Sequence, residues 1–439
     1  MKLSLFIILP IRSEEDINPD LALSYFMQGE FLMSQGNYAL AILEFQEAIA
    51  LDPNASTIHV AIADGYIKLG KLKRSETHLK IAIELNPDET EGLDMLGQIY
   101  FSQKRYSDAQ QIYKRLHTTD PDNLDYIFIL ADLHRIQNNW DSSIDYYMLA
   151  YNINALAIKG LEQALQIALS TNKLKRAEEI CELMHNDNPD NLDILNTYKD
   201  LTLYNKNYKK SLDLLEKIEK QTGVTNELLL QKSALYEELN QKELALEVAL
   251  VAHENDSLNI DILHRIVSVL MDQDQNEEAI KYNNKITKNH PNDPRGFINN
   301  AVMAMSSKKP DQAIKALQPH VSKFFSDFTM QYLLGTAYYQ TNDFDNAERH
   351  LAQALEIYPQ SRNTKHNLAL IYDSMGEWKL SDQLYIELIE SDSTDAQAFN
   401  NYAYSLVERD KDIDFALELA QYAISLEPKS AAYLDTIGW

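Results

Sequence analysis

An all-α solenoid, a stack of about a dozen helix pairs, is the fold class this sequence predicts. Three observations predict it: a 34-residue period through nearly the whole chain, columns of small residues inside that period, and a scarcity of helix breakers. Of 439 residues only 12 are Gly and 12 are Pro, while Ala, Leu, Ile, Glu, Lys and Gln abound, as suits helices. Hydrophobic residues at 45% leave ample apolar surface to bury.

The period is read from Pro53. Steps of 34 lead to Pro87, Pro121, Ala155, Pro189, Gly223, Ser257, Pro291, Phe325, Pro359 and Ser393, so five of ten steps return proline. Gly223 and Ser257 are still turn formers. The next match, Pro428, comes one residue late. Twelve residues before these positions stand Ala41, Ser75, Ala109, Ser143, Ala177, Ser211, Ala245, Ala279, Ala313, Ala347 and Ser381. Ala416 completes the column after a one-residue insertion near Asp410–Asp414. Every member is Ala or Ser because antiparallel helices cross closely only where side chains are small. A Leu there would overpack the crossing by roughly 1–3 kcal/mol.

Other columns place the first helix of each unit. Gly29, Ala63, Gly97, Ala131, Gly335, Ala369 and Ala403 are its small residues. Tyr66, Tyr100, Tyr236, Tyr338 and Tyr372 lie one turn further on, large rings suited to the space between units. Gln35-Gly36-Asn37, Leu69-Gly70-Lys71, Asn138-Asn139 and Gly376-Glu377 are turn signals that divide each unit into two helices.

A 34-residue unit with small, aromatic and proline columns in this order resembles the tetratricopeptide repeat family. The resemblance covers Ala22 to Ser430 as twelve repeats. Residues 1–21 precede them as an N-terminal segment, and residues 431–439 open a thirteenth repeat or capping helix. Residues 22–157 are repeats one to four, residues 158–293 the divergent repeats five to eight, and residues 294–430 repeats nine to twelve. The ninth departs most, with Pro310 in its turn and Phe325 in the proline column. Asn400 to Leu406, Leu426-Glu427-Pro428 and Ala432 to Trp439 look like the closing repeats of bacterial members, many of them exported or associated with the outer membrane. Another helix pair normally follows there, so continuation beyond Trp439 is expected.

The resemblance implies a right-handed superhelix whose first helices line a concave face, with the sixth residue of each repeat pointing into it. Those residues are Met27, Ala61, Met95, Ile129, Gln163, Thr197, Gln231, Arg265, Asn299, Leu333, Asn367 and Asn401. The first four are apolar, and Phe26, Met33, Val60, Ile67, Phe101 and Phe128 extend that character. Glu30, Asp64, Gln98 and Asp132 run between them at one per repeat, a mostly acidic ladder that suits a basic or amphipathic peptide. The closing repeats instead offer Asn299, Tyr332, Thr336, Tyr339, His366, Asn367, Asn400, Asn401 and Tyr404, and asparagine amides both donate to and accept from a peptide backbone. Inter-repeat core for the first set, a solvated groove for the second and a surface position for His366 are the plainer readings. The Lys and Arg combination that clamps C-terminal carboxylates in this family is not found.

A formal charge of −26 argues against nucleic acid as a partner, since phosphate binding relies on clustered Lys and Arg. The single cysteine, Cys181, excludes an intramolecular disulfide and sits at a large-residue position, which predicts a buried, inert thiol. Gly65 to Lys71 has phosphate-loop spacing, but Leu72 replaces the hydroxyl that would hold magnesium. The 11 histidines show no pair at metal-binding spacing. No catalytic constellation, cofactor motif or metal site is expected, and no apolar run reaches the length of a membrane span. Met1-Lys2 followed by Leu3–Leu9 has the start of a short or degenerate signal sequence, with Pro10 interrupting it. Cytoplasm and bacterial periplasm or outer membrane therefore both stay open.

These features predict a non-enzymatic scaffold that holds a peptide or protein in its groove, alone or within a larger assembly. Two alternatives stand beside it. One is the targeting part of an enzyme or secretion machine that extends past the C-terminus; the other is self-assembly through exposed end repeats.

Overall fold

The computed structural model describes residues 19–438 and is built of helices, with no strand among the described residues. It divides within a helix into two compact units, residues up to Leu214 and residues from Leu215 onward. The first unit holds α1 (Pro19–Ser34) with α2 (Tyr38–Leu51), α3 (Ser56–Lys68) with α4 (Leu72–Leu85), and α5 (Thr90–Ser102) with α6 (Tyr106–Thr119). It continues through α7 (Leu124–Ile136) with α8 (Trp140–Ile153), α9 (Ile158–Ser170) with α10 (Leu174–Asp187), and α11 (Leu192–Tyr204) with the start of α12 (Tyr208–Thr222). The second unit takes the rest of α12, then α13 (Asn226–Glu238) with α14 (Lys242–Asn255) and α15 (Ile260–Asp272) with α16 (Asn276–Asn289). There follow α17 (Arg295–Ser306) with α18 (Pro310–Leu317), α19 (Phe328–Gln340) with α20 (Phe344–Ile357), and α21 (Arg362–Met375) with α22 (Trp378–Ser391). Last come α23 (Ala396–Glu408) with α24 (Ile413–Leu426), and α25 (Ala431–Gly438). The expected N-terminal signal segment lies, but for its last residues, outside the described residues.

The crossing inside each pair is as tight as the small columns require. All twelve Ala and Ser residues from Ala41 to Ala416 are buried, and none is more than 1% exposed. Ser143 Oγ also donates to the Ala131 carbonyl at 2.9 Å, so the hydroxyl is satisfied inside the crossing. The first-helix glycines face the large residue of the second helix. A Cβ added to Gly29, Gly97 or Gly335 would lie 2.3, 2.7 or 2.5 Å from carbons of Phe45, Tyr113 or Leu351. Cys181 occupies that large-residue position in α10, fully buried, and burial pushes its thiol up to about 12.

Every pair turns in the same way. Residues 36, 70, 104 and so on to 410, one per 34, all carry a positive φ. The residue after each donates its N–H back five positions, as Asn37 does to Leu32 and Lys411 does to Leu406. That is a Schellman closure, which needs a left-handed residue. Only Gly36, Gly70 and Gly376 are glycine; Lys104, Lys206 and Lys308 adopt the same geometry with a full side chain.

Two departures have local causes. α18 stops at Leu317, because Pro319 has no N–H to continue the hydrogen-bond ladder and its ring crowds the preceding turn. Phe325 then falls in an irregular turn, 55% exposed. The one-residue insertion sits between α23 and α24, where Asp410 and Asp412 both take positive φ and the register resumes at Ile413.

Two outcomes are expected. Replacing Lys104, Lys206 or Lys308 by Gly removes a left-handed penalty of about 1–2 kcal/mol against a chain-entropy cost of about 0.5–1 kcal/mol, so each substitution raises stability by about 0.5–1 kcal/mol; urea midpoints measure this. Burial is the first cause that holds His59, His78, His134, His253, His264 and His350 below the ordinary imidazole range. The unfolded chain thus takes up protons more readily. Stability is fully present above about pH 6.5 and falls as the pH drops below it. A urea midpoint unchanged between pH 7.5 and 5.5 contradicts this.

Candidate partner-binding surfaces

In the first unit, α1, α3 and the start of α5 enclose a cleft of about 330 Å³. Phe26 and Met33 from α1 and Val60 and Ala61 from α3 give it apolar walls. Four carboxylates, Glu30, Asp64, Glu89 and Glu91, share the same space. Glu89 accepts from Ser56 Oγ at 2.9 Å and from Asn86 Nδ2 at 3.2 Å, while Asp64 has only a loose contact with Lys68 at 3.8 Å. Burial, then the charges of Asp64 and Glu91, raise the Glu30 carboxyl above its ordinary range. The pocket therefore holds more negative charge than it neutralises, and an entering cation relieves it.

A larger cleft of about 510 Å³ lies between α7, α8 and α9, lined by Phe128, Asp132, Tyr147, Lys159 and Gln163. Asp132 is already engaged: it accepts from the Tyr147 hydroxyl at 2.7 Å and from Arg135 at 2.8 Å. Lys159 went unread in the sequence. The signal that could have found it is Gly160, where a Cβ would come 2.7 Å from the Tyr147 carbonyl oxygen and so marks close approach of α9 to α8. Of the other residues proposed from the sequence, Met27 is 63% exposed and Met95 is half-buried against the α5–α7 core.

In the second unit, α19, α21 and α23 carry the polar and aromatic set. Asn367 Nδ2 donates to the Tyr332 hydroxyl at 3.3 Å and approaches Thr336 Oγ1 at 3.5 Å, so α19 and α21 are linked through groove residues. Tyr332, Tyr339 and Asn401 are half-buried, and Tyr404 is exposed. Three residues of the set point inward instead. Asn299 is buried because Asn283 fills the large-residue position of α16; Asn299 Nδ2 donates to Asn283 Oδ1 at 2.9 Å, and Asn283 Nδ2 donates to the Gly296 carbonyl at 2.7 Å. Asn400 is buried in α23.

His366 is not the surface histidine its position suggested. Only 5% of it is exposed, and its Nε2 contacts Asp395 Oδ2 at 2.9 Å. Asp395 caps α23 by accepting from the Ala398 N–H at 3.1 Å and also pairs with Arg362 at 2.7 Å. Burial alone would raise its carboxyl, but Arg362 and His366 together hold it below the ordinary range. The cluster ties α21 to α23. Helix pairing likewise creates a contact that spacing hid: His59 and His78, on α3 and α4, bring their Nδ1 atoms to 3.0 Å. One neutral ring must donate to the other, and two ring nitrogens alone do not make a metal's ligand set. Among the described residues no helix is long and apolar enough to cross a membrane.

Tetratricopeptide repeat models match residues 32–99, 95–155, 330–361 and 366–397. Hsp70-Hsp90 organizing protein 3 of Arabidopsis thaliana is 28% identical over 117 residues, which cover 27% of this chain and 21% of the relative. Anaphase-promoting complex subunit CDC16 of Saccharomyces cerevisiae is 21% identical over 383 residues, covering 76% of this chain and 45% of the relative. The chain thus spans less than half the length of either curated relative. Among solved structures, yeast Tom70 aligns with 95% of this chain and 94% of its own at 15% identity, with a TM-score of 0.43. Matched in sequence over residues 32–155, 330–361 and 366–397, and built of helix pairs at the same 34-residue period between those stretches, the chain carries tetratricopeptide repeats.

Proposed function

We propose that the chain is a non-catalytic protein-interaction scaffold that holds peptide or protein partners on its first helices. The cleft of α1, α3 and α5 carries this reading, because it joins apolar walls to four carboxylates with few cations of their own. Such a cleft selects basic or amphipathic segments, the apolar part filling the space between Phe26 and Val60 and the cation meeting Glu30. The second unit offers a different surface, in which Asn367, Asn401 and Tyr404 present amide and hydroxyl groups to an extended backbone. Two ligand surfaces of unlike chemistry, one in each unit, suit a component of a larger assembly. Bacterial origin, with a place in the periplasm, at the outer membrane or in the cytoplasm, belongs to the same proposal. So does the rival reading in which the chain is the targeting part of a longer enzyme or secretion protein.

Partners captured by the intact chain and identified by mass spectrometry test both surfaces. Asn367→Ala, Asn401→Ala and Tyr404→Ala combined should release one subset, and Glu30→Gln with Asp64→Asn another whose retention weakens with salt. A partner set left whole by both combinations rules out the groove as the binding surface.

A further inference from the structure

The N-terminal end of the first unit differs from every other layer of the stack. The tenth residue of each first helix is Phe31, Gly65, Ile99 and so on to Ser405. Eleven of these twelve are buried, whereas Phe31 is 56% exposed. The interior ones meet the preceding pair: a Cβ on Gly65 would lie 2.8 Å from Ile42 of α2, and Ser405 Oγ donates to Asp373 of α21 at 2.8 Å. Leu40 of α2 is 54% exposed as well, at a position whose equivalents Arg176 and Lys210 reach back to Asp145 and Glu182 of the pair before and whose equivalents Leu244 and Leu380 are themselves exposed.

Leu23, Met27 and Phe31 are spaced four apart and make a single stripe on α1, each more than half exposed. α1 packs on α2 and α3, and among the described residues nothing covers the stripe. Glu30, three residues beyond Met27, borders it and leads into the acidic cleft with Asp64 and Glu91.

We propose that this end is a docking site for a cationic amphipathic helix of a partner protein. Its apolar side covers Leu23, Met27, Phe31 and Leu40, and its cations reach Glu30 and the cleft beyond. The inference rests on the reading that this cleft takes basic segments, and adds that the partner is helical and caps the stack. A helix fits because the preceding helix pair covers the tenth position of the first helix, the one Phe31 occupies, in each of the other eleven repeats. It is cationic because the bordering groups are carboxylates. A second copy of the chain would bring the same acids, and a net charge of −26, against one another.

The test uses the full chain and two synthetic helices of about 18 residues, long enough to fold on binding, with one leucine pattern and either lysine or glutamate elsewhere. Calorimetry should show the lysine helix binding, more weakly at high salt, and the glutamate helix failing to bind. Phe31→Ser with Leu40→Ser should weaken the lysine helix about tenfold or more, and Phe31→Leu should retain it. Both substituted positions are exposed, so the fold is preserved, which circular dichroism checks. Lysine-helix binding that survives Phe31→Ser with Leu40→Ser but is lost with Glu30→Gln and Glu91→Gln overturns the capping site and leaves the cleft. Binding indifferent to both sets overturns the cleft reading as well. Two further results overturn the proposal: a dimer in sedimentation that Phe31→Ser dissolves assigns the face to a second copy, and a tenfold gain in affinity on deleting residues 1–18 assigns it to the chain's own start.

Discussion

Everything in this structure depends on how closely the two helices of a pair can cross. The Ala and Ser column sets that distance, and the glycines of the first helix lie directly beneath a ring or branched side chain of the second. With the crossing fixed, each pair presents the same two faces to its neighbours, and stacking buries a core that no pair could bury alone. A bulkier residue in the column would push the helices apart in its own repeat and misalign the two layers beside it.

The functional surface follows from that packing. Side chains of the first helix that are not consumed by the crossing or the stack must face solvent, so they recur at a fixed spacing and are free to differ in chemistry. At the start of the first unit they are apolar and acidic; in the closing repeats of the second, Asn367, Asn401 and Tyr404 take their place. Where chemistry intrudes on the crossing itself, the pattern shifts. Asn283 replaces a large apolar residue in α16, and the polar group it buries must be satisfied, which draws Asn299 inward.

Much of the fold was legible in the sequence because small residues, prolines and turn formers are demanded by local sterics, and local demands repeat at a fixed period. The one-residue slip near Asp412, the burial of Cys181 and the acidic, apolar character of the first cleft could all be read in this way. The twelve left-handed turns were only partly visible, since Lys104, Lys206 and Lys308 disguise a geometry that glycine would have announced. The early end of α18 had its signal in Pro319, a residue outside the repeating columns.

The sequence by itself determined the helix pairs, their register and the column from which ligand-facing residues are drawn, because each depends on neighbours within one 34-residue unit. Only the tertiary structure decided which of those residues remain available. Asp132 is held by Tyr147 and Arg135, His366 is sealed by the cap of α23 in the next repeat, and Lys159 opens into a cleft formed by three helices. The exposure of Phe31 is likewise invisible in its own repeat: burial at that position is supplied by the preceding pair, and contacts between layers leave no mark in the spacing of one chain.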